Sequence, residues 1–429
     1  MPKEKAKTMA KTLDVYLHRH LSGHLIQDDH GELGFKYAES WLNHPTAIPL
    51  SHSLPLRTES FDRHECRGFF GGILPEESKR EIIARNLGIS PRNDFAMLEQ
   101  IGGECAGAVM FLPAGTTLPE RDDHYRRLTT KDLAETLKAL PRRPLMAGEE
   151  GIRLSLAGAQ DKIAVHLANG QISLPLGGAP STHILKPAIE RFEGTVFNEA
   201  LCLKLAHAIG LSAAKVEIGR AEDVDYLLVE RYDRRIKQMF PGGPQFTERL
   251  HQEDFCQALG IVSENKYENE GGPTLKRCFD LLRDLSSAPV IDLERLLNAV
   301  IFNFLVGNND AHGKNFSVTY DQGTVLTGPD NRFAPLYDIL STSYYPDLAK
   351  KMAMKIGGEY ASNKIRPKHF ERLAEEAGLA KPMVKQRVLE LAETTLSKIS
   401  EVMTGHPLMA EVGKFIQGRC ERKMQDFRN

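Results

Sequence analysis

Cysteine, tryptophan and net charge are all scarce in this chain of 429 residues. The six cysteines are widely scattered, with no Cys-x-x-Cys pair, which indicates reduced, packed thiols in a cytoplasmic protein rather than disulfides or structural zinc. Lys and Arg number 55 against 57 Asp and Glu, so no broad field attracts nucleic acid or acidic lipid. No apolar run approaches 18 residues, which predicts no transmembrane helix. The basic start lacks an apolar segment and predicts no secretory signal.

What is present is an ordinary globular composition, with 41% apolar and 26% charged residues. The length suggests about two to three domains. We predict a disordered Lys-rich tail at 1–12, an N-terminal α/β subdomain and connection at 13–150, a β-rich lobe at 151–248 and an α-helical lobe at 249–429. A β-rich half followed by an α-rich half predicts an α+β protein with two lobes.

Local patterns predict several elements within this frame. LDVYLHRHL alternates like a strand and is followed by a Ser-Gly turn, while Asn169-Gly170 predicts a hairpin. PEESKREIIARNLGI predicts a helix that stops at Gly88, and IDLERLLNAVIFNFLVG predicts one that stops at Gly307. Histidines cluster at 18, 20, 24 and 30, but a solvated strand face is a commoner explanation than a metal site.

The stretch GNNDAHGKNFSV carries the clearest chemical signal. Asp310 and Asn315 lie five residues apart, the spacing of a protein-kinase catalytic loop. That chemistry needs a carboxylate to accept the proton of the attacking hydroxyl and a nearby amide oxygen to hold Mg²⁺. Lys314 and His312 could face the transferred phosphoryl group. The alternative, a polar helix end with asparagine turn residues, explains the same sequence pattern about equally well.

A second carboxylate, Asp338, follows Asn315 by 23 residues, after an apparent hairpin in FSVTYDQGTVLT. A kinase places its second magnesium ligand there, and few protein oxygens suffice because Mg²⁺ keeps waters and phosphates. The alternative is that Asp338 only caps the segment that begins at Ile339.

Lys186 in THILKP lies between apolar residues of a predicted strand, where a lysine is suited to hold ATP phosphates. Glu199, near the start of the next helix, is a candidate ion-pair partner. The alternative is a lysine that extends from a strand edge to water and an acid that merely favours a first helical turn.

Two further segments fit a nucleotide site. SLAGAQDK, residues 155–162, lies between two strands, and its small residues allow backbone N–H groups to approach phosphates, although a single glycine is also typical of an ordinary turn. Glu230 and Tyr232 end a strand just before the helical half, where a hinge offers backbone hydrogen bonds to adenine.

Together these stretches resemble the HipA-type serine/threonine kinase toxins of bacterial type II toxin–antitoxin modules. The matching segments are RLSLAGAQDK, THILKP, NEALCLKLAHAIGL, VERYDRR, HQEDFCQALG, NNDAHGKNFSV and APLYDILS, with SHSLPL, GFFGGILPE and IGGECAGAVMFLP in the N-terminal subdomain. The resemblance runs from about residue 13 to the C-terminus and implies a two-lobed protein-kinase-like fold with an all-helical C-terminal lobe.

The resemblance also implies roles for individual residues. Asp310 would be the catalytic base, Asn315 and Asp338 would bind Mg²⁺, and Ser155 would be the site of inactivating autophosphorylation. The ATP-binding residues would be Ala157, Gly158, Ala159, Gln160, Asp161, Lys162, Lys186, Glu230, Arg231, Tyr232, His312, Gly313, Lys314, Asn315, Tyr337 and Asp338. Asn309 stands where a eukaryotic kinase has arginine, and Tyr-Asp-Ile replaces Asp-Phe-Gly.

As for function, the resemblance implies ATP- and Mg²⁺-dependent phosphorylation of an aminoacyl-tRNA synthetase, above all the glutamyl enzyme, which inhibits translation and induces dormancy and persistence. It also implies a helix-turn-helix antitoxin as partner, through which the chain would reach operator DNA. Two alternatives stay open: a catalytically weak corepressor in the antitoxin–DNA complex, and a small-molecule phosphotransferase on the same fold.

Overall fold

The computed structural model describes residues 10–118, 124–240, 242–243, 245–323 and 328–428. The chain forms two compact units, each assembled from separate stretches of sequence. The first comprises Met1–Thr182, Asp233–Glu253 and Tyr320–Pro329, and the second comprises His183–Tyr232, Asp254–Thr319 and Asp330–Asn429. The predicted four-part division stays a prediction. Most of the predicted tail (1–9), part of the predicted connection (120–123) and the end of the predicted hairpin (324–327) lie outside the described residues.

The strands, in chain order within these ranges, are β1 (Lys11–Leu17), β2 (His20–Gln27), β3 (Leu33–Tyr37), β4 (Val109–Pro113), β5 (Tyr125–Arg127), β6 (Ile163–Ala168), β7 (Gln171–Pro175), β8 (His183–Pro187), β9 (Val216–Ala221), β10 (Val224–Glu230), β11 (Arg234–Gln238), β12 (Gln245–Arg249), β13 (His251–Asp254), β14 (Ser317–Asp321), β15 (Asp330–Phe333), β16 (Lys351–Ile356) and β17 (Glu359–Ala361).

The α-helices are α1 (Glu39–Leu42), α2 (Arg63–Gly72), α3 (Glu77–Leu87), α4 (Asp94–Ile101), α5 (Thr130–Ala139), α6 (Thr195–Ala208), α7 (Phe255–Ala258), α8 (Leu275–Leu285), α9 (Pro289–Val306), α10 (Pro367–Ala377), α11 (Lys381–Val402) and α12 (Pro407–Arg428). Short 3-10 turns connect several of them. The mixture of strands and helices confirms the α+β class.

In the first unit, an antiparallel sheet has the strand order β3-β2-β1-β4. Its first hairpin corrects the predicted LDVYLHRHL strand, because the chain turns at His18 and Arg19, which both have positive φ, as a two-residue hairpin turn requires. The predicted Ser-Gly turn is wrong, since Ser22 and Gly23 lie inside β2. Burial lowers the pKa of His18 to about 4. Over the described ranges, no group of three or more His, Cys, Asp or Glu is arranged to hold a metal ion.

Five other strands of the first unit form two smaller groups. β5, β7 and β6 are neighbours in one antiparallel arrangement, and Asn169 and Gly170 make the predicted turn, both with positive φ. β11 and β12 form a separate hairpin. Helix α3 ends as predicted at Gly88, whose left-handed conformation satisfies the last carbonyl groups of the helix.

In the second unit, β8, β10 and β9 form an antiparallel group in that order. Helix α6 packs on these strands through a buried apolar cluster that includes Val196, Ala200, Leu227 and Val229. This packing fixes the orientation of α6 on the sheet. It therefore also fixes the directions in which the other side chains of α6 point.

The rest of the second unit is largely helical. Helix α9 begins with Pro289, whose fixed φ suits a first helical position, and ends at Gly307 in the left-handed region. The C-terminal lobe, expected to be all helical, also contains short strands, among them β16, which is buried from Met352 to Met354.

All six cysteines are buried and free, which agrees with the prediction of packed thiols. No helix in the described part of the chain is both long and apolar enough to cross a bilayer.

A buried carboxylate ties distant segments of the first unit together. Glu104 is 1% exposed and accepts hydrogen bonds from Arg234 at 2.7 Å and Arg249 at 2.5 Å. It also accepts from the backbone N–H and hydroxyl of Ser181, at 3.0 and 2.9 Å. A buried charge is tolerated only when it is paired in this way.

We therefore predict that Glu104→Ala lowers the free energy of unfolding by about 3–5 kcal/mol, because it leaves guanidinium groups without their buried counter-charge. Urea unfolding measures this loss. The matched control is Glu248→Ala, which breaks the more exposed Lys237–Glu248 pair and is expected to cost less than about 1 kcal/mol. Equal losses in the two variants would contradict the prediction.

Candidate functional site

The site in the second unit is built around the buried ammonium group of Lys186. The lysine lies on β8, opposite Leu227 of β10, and is 7% exposed. Its Nζ donates to Glu199 Oε1 at 2.7 Å and to Asp338 Oδ1 at 2.9 Å. An ammonium has three N–H donors, so one remains for a further acceptor such as a phosphate oxygen.

Helix α6 supplies the first of these carboxylates. Glu199 is 1% exposed and precedes Ala200, which belongs to the apolar cluster between α6 and the strands. The structure therefore contains the Lys186–Glu199 ion pair, for which Glu199 was a candidate from the sequence. Such a strand lysine–helix glutamate pair is a requirement of the protein-kinase active site.

The charges decide the protonation state of this cluster. Burial alone would lower the pKa of Lys186, but the charges of Asp338 and Glu199, and their hydrogen bonds, outweigh burial and raise its pKa. The lysine therefore stays protonated at neutral pH. Two carboxylates around one ammonium leave a net negative charge, which favours a cation beside them.

Asp338 reaches the cluster through an unusual backbone conformation. Its φ is +56°, in the left-handed region that costs a non-glycine residue free energy and that aspartate tolerates better than most. Its second oxygen, Oδ2, accepts from Asn315 Nδ2 at 3.2 Å. The Asp338 carboxylate thus bridges the lysine and the asparagine.

Asn315 and Asp338 together suit a divalent cation. Asn315 is buried, and its Oδ1 has no hydrogen-bond partner among the described residues, although buried polar atoms are nearly always satisfied. Amide and carboxylate oxygens are the ligands that Mg²⁺ takes, usually few in number. The available oxygens and the net charge therefore fit a magnesium ion bound by these two side chains.

The loop that carries Asp310 is held by hydrogen bonds at several points. Gly307 ends α9 with φ +78°, and Asn308 bonds to Asn303 Oδ1 at 2.8 Å while accepting from the Asp310 N–H at 3.1 Å. Asn309, in the position of the kinase arginine, donates from Nδ2 to the carbonyl of Ala349 at 2.9 Å. Hydrogen bonds of the Asn308 and Asn309 side chains thus hold the segment that ends in Asp310.

The carboxylate of Asp310 itself is exposed to solvent. Its Oδ1 accepts a hydrogen bond from the hydroxyl of Tyr267 at 2.8 Å. An exposed carboxylate on a fixed backbone can accept a proton from an incoming hydroxyl group.

Two residues predicted near the transferred phosphate have partners in the protein. The ammonium of Lys314 is buried and donates to Asp254 Oδ2 at 2.7 Å, and Asp254 also caps α7. His312 packs edge-to-face against Tyr267, with ring centroids 5.2 Å apart. Their predicted contacts with the γ-phosphate, like that of Gly313 between them, stay predictions.

The predicted adenine segment lies at the end of β10. The Glu230 N–H donates to the carbonyl of Lys215 at 2.9 Å, and Arg231 is buried. The rings of Tyr232 and Tyr337 stack at 5.7 Å, and Tyr337 donates its hydroxyl hydrogen bond to the carbonyl of Lys314 at 2.7 Å. These contacts connect the strand end to the segment before Asp338.

The predicted phosphate loop belongs to the first unit, unlike the residues above. Gly158 has φ +104°, which favours glycine. Lys162 Nζ donates to the carbonyl of Ala157 at 2.7 Å, and Asp161 pairs with Lys79 at 2.6 Å. Ala159 and Gln160 lie between them in a bend, half-buried.

Ser155, the predicted autophosphorylation site, is fully buried. Its hydroxyl donates to the carbonyl of Ile73 at 3.0 Å and its N–H donates to the carbonyl of Glu104 at 2.9 Å. Any modification of this hydroxyl therefore requires the local segment to open first.

Sequence reasoning missed Tyr267 and gave Asp254 no role at the catalytic loop. Tyr267 precedes Asp310 by 43 residues, in a segment without regular periodicity, so no spacing rule connects them. Asp254 caps α7, and the ion pair with Lys314 adds to that capping role.

We predict that Glu199→Gln lowers the free energy of unfolding by about 2 kcal/mol, because it replaces a charge-assisted buried hydrogen bond to Lys186 with a neutral one. Urea unfolding of the purified variant provides the measurement. Glu190→Gln makes the same chemical change at an exposed glutamate and is expected to cost less than about 0.5 kcal/mol. A variant as stable as Glu190→Gln would argue against a stabilising pair.

Comparison with known proteins adds independent information about the whole chain. Residues 154–399 match the HipA-like C-terminal domain, and residues 13–112 match the HipA N-terminal domain. A similar chain occurs in a solved complex of HipA, HipB and operator DNA from the toxin–antitoxin system of Shewanella oneidensis MR-1. The two chains superpose with a TM-score of 0.84 at 28% sequence identity, and the match covers 97% of this chain and 98% of that one. This likeness confirms the kinase-like fold.

Two curated relatives span nearly the full length as well. Y4mE of Sinorhizobium fredii, a protein provisionally named as a kinase, is 48% identical to this chain. The match covers 92% of both chains. The serine/threonine-protein kinase toxin HipA of Shewanella oneidensis is 29% identical over 97% of this chain and 96% of its own length. With both domain matches in order along one polypeptide, the chain belongs to the HipA family.

Proposed function

We propose that this chain is an ATP- and Mg²⁺-dependent serine/threonine protein kinase that acts as a toxin. The observation that carries the proposal is the cluster of buried Lys186 and Glu199 with half-buried Asp338, beside which Asn315 has an unsatisfied oxygen. A purely structural ion pair would need neither the second carboxylate nor a buried amide oxygen without a donor. A kinase needs both, for the metal and the phosphates.

In this proposal, the hydroxyl oxygen of the substrate attacks the γ-phosphorus of ATP, and ADP leaves. Asp310 accepts the proton of that hydroxyl group. Lys186 donates to the α- and β-phosphates from its remaining N–H group. Asn315 and Asp338 bind Mg²⁺, whose charge offsets that of the phosphates. Asp310 is exposed, which agrees with an acceptor that arrives from solvent on a large substrate.

The other ATP contacts rest on the family resemblance. Residues 157–162 would bind phosphates through backbone N–H groups, which the positive φ of Gly158 helps to orient. Adenine would contact Glu230, Arg231 and Tyr232. The ring of Tyr337 stacks on that of Tyr232. His312, Gly313 and Lys314 would lie near the γ-phosphate, and Lys314 would have to share its charge with Asp254.

We predict that Asp310→Asn lowers phosphoryl transfer at least about 100-fold while Mg-ATP binding persists, because it removes only the proton acceptor. Asp338→Ala is expected to weaken Mg-ATP binding itself. Calorimetric titration with a non-hydrolysable ATP analogue and Mg²⁺ measures binding, and mass spectrometry after incubation with Mg-ATP measures phosphate on the chain. Asp347→Ala, at an exposed carboxylate, is the control. Near-normal transfer by Asp310→Asn would contradict the catalytic assignment.

Ser155 is the proposed site of that phosphate, and autophosphorylation there would inactivate the kinase. Its hydroxyl is fully buried, so the segment must leave its bonds to Ile73 and Glu104 before transfer. A phosphate adds about −2 charge and cannot return to a buried position, so the segment would stay displaced. The phosphopeptide containing Ser155 is therefore the one to seek in the wild-type chain and to find missing in Asp310→Asn.

The proposed partners are a helix-turn-helix antitoxin and, through it, operator DNA. Support comes from the similar Shewanella chain, which was solved with HipB and operator DNA. The net charge of −2 gives this chain little attraction of its own for phosphates. We therefore propose that DNA binding depends on the antitoxin, which would also neutralise the toxin.

The proposed substrate is an aminoacyl-tRNA synthetase, with the glutamyl enzyme as first candidate, and the proposed site of action is the cytoplasm. This part rests on the family resemblance. A synthetase inactivated by phosphate would stop charging its tRNA, inhibit translation and induce dormancy and persistence.

We predict that expression of the wild-type chain without its partner arrests growth, that Asp310→Asn does not, and that co-expressed antitoxin restores growth. Optical density after induction is the measurement, with immunoblots to equalise chain levels. Equal arrest by wild type and Asp310→Asn would mean that toxicity is not kinase activity and would favour the corepressor alternative.

A further inference from the structure

The residue before the proposed catalytic base is held from three sides. Asn309 is 5% exposed, and its carbonyl accepts a hydrogen bond from the Ala353 N–H at 2.7 Å. Its side chain donates to the carbonyl of Ala349 at 2.9 Å. Its own N–H donates to the hydroxyl oxygen of Thr342 at 2.7 Å. Because Asp310 follows directly along the chain, these bonds fix the backbone from which its carboxylate extends.

The hydroxyl of Thr342 also reaches the other end of the same loop. It donates to the carbonyl of Gly307 at 3.2 Å, and the N–H of Ser343 donates to that carbonyl at 2.9 Å. A hydroxyl has one donor and two acceptor lone pairs, so this threonine can accept from Asn309 and donate to Gly307 at once. Since Gly307 ends α9, the hydroxyl joins the helix end to the residue before Asp310.

The 3-10 turn that begins with Thr342 is fixed to helix α6 through the preceding residue. Asn198 lies on α6, directly before Glu199, and is fully buried. Its Oδ1 accepts from the Ser341 N–H at 2.8 Å, and its Nδ2 donates to the Ser341 carbonyl at 3.2 Å. Two hydrogen bonds between one amide side chain and one backbone residue fix both partners. The threonine hydroxyl thus bonds the loop to a support that α6 holds in place.

The magnesium ligand on the same segment has supports of its own. Asp338 lies three residues before Ser341, and its carboxylate accepts from Lys186 and Asn315. Loss of the Thr342 hydroxyl removes none of these bonds. It does remove the acceptor of the buried Asn309 N–H, and buried N–H groups seldom stay unpaired. The loop, rather than the lysine cluster, is therefore expected to shift.

We propose that Thr342 is a positioning residue for the catalytic loop: its hydroxyl sets the place of the Asp310 backbone relative to α6 and to the segment after Asp338. This inference rests on the proposed kinase function. Placement of a reacting group supplies a substantial part of a catalytic effect, and small misplacements are costly. One hydroxyl group would then keep the proton acceptor in register with the two carboxylates around Lys186.

The test compares Thr342→Val, which keeps nearly the shape of threonine but lacks the hydroxyl group, with Thr342→Ser, which keeps the hydroxyl. Transfer of phosphate from radiolabelled Mg-ATP to dephosphorylated casein or to the chain itself is the measurement. We expect kcat to fall about tenfold in Thr342→Val, while the KM for ATP stays unchanged because the lysine cluster keeps its bonds. Thr342→Ser is expected to retain wild-type kcat.

Hydrogen exchange followed by mass spectrometry tests the contact itself and needs no activity. In Thr342→Val, we expect faster exchange in the peptide that contains the Asn309 amide, because that N–H group loses its acceptor. Exchange in the first turns of α9 is expected to stay unchanged, which also shows that the variant is folded. Thr342→Ala, which lacks the hydroxyl and puts no methyl group in its place, repeats both measurements where valine packs poorly.

Thr394→Val is the matched control, because the Thr394 hydroxyl also donates to a backbone carbonyl, that of Glu390 at 2.7 Å, but within α11. It is expected to keep wild-type kcat and exchange. If Thr342→Val keeps wild-type kcat, or if Thr342→Ser loses as much, the positioning role is wrong while the kinase proposal stands. If wild type transfers no phosphate, the kinase proposal fails and the positioning role fails with it, even where exchange shows the hydrogen bond.

Discussion

The neutralisation of one buried ammonium group, that of Lys186, is the constraint on which the second unit depends. A charged amine loses several kcal/mol of hydration free energy on burial unless anions replace the water. The replacement here comes from Glu199 on α6 and Asp338 on the segment after β15. Strand, helix and loop are therefore held in one arrangement by a single charge. The arrangement is a poor choice for stability alone, because apolar residues would fill the same volume at lower cost.

The free-energy cost of burying these charges is explained if the cluster binds a ligand. Two carboxylates against one ammonium leave negative charge, and Asn315 Oδ1 has no donor among the described side chains and backbone groups. Asp338 adds a left-handed backbone conformation that costs free energy. Unsatisfied and strained groups of this kind concentrate where a ligand completes the interactions. Asp310 is exposed to solvent but sits on a backbone that hydrogen bonds of its asparagine neighbours hold in place.

Local rules predicted much of this from the sequence. Helix ends at Gly88 and Gly307 were predictable because the left-handed C-terminal conformation favours glycine, and Lys186 stood out because a charge between apolar strand residues needs a partner. The turn at His18 and Arg19 was not predictable, since positive φ is uncommon for any residue other than glycine. Tyr267 was not predictable either, because its hydroxyl meets Asp310 through tertiary folding across 43 residues. The short strands of the helical region were missed where a brief alternation is too weak to outweigh the surrounding helical pattern.

The buried state of Ser155 sets a physical limit on the proposed self-inactivation. Its hydroxyl and N–H each make one backbone hydrogen bond, and losing both costs about 2 kcal/mol or more. An opening of that cost is populated at no more than a few per cent. The neighbouring Lys79–Asp161 and Lys162–Ala157 contacts add to the free energy of opening. If the chain is a kinase, transfer to an exposed hydroxyl on another protein needs no such opening. Self-inactivation would then be slow relative to substrate phosphorylation, which gives a toxin time to act before it switches itself off.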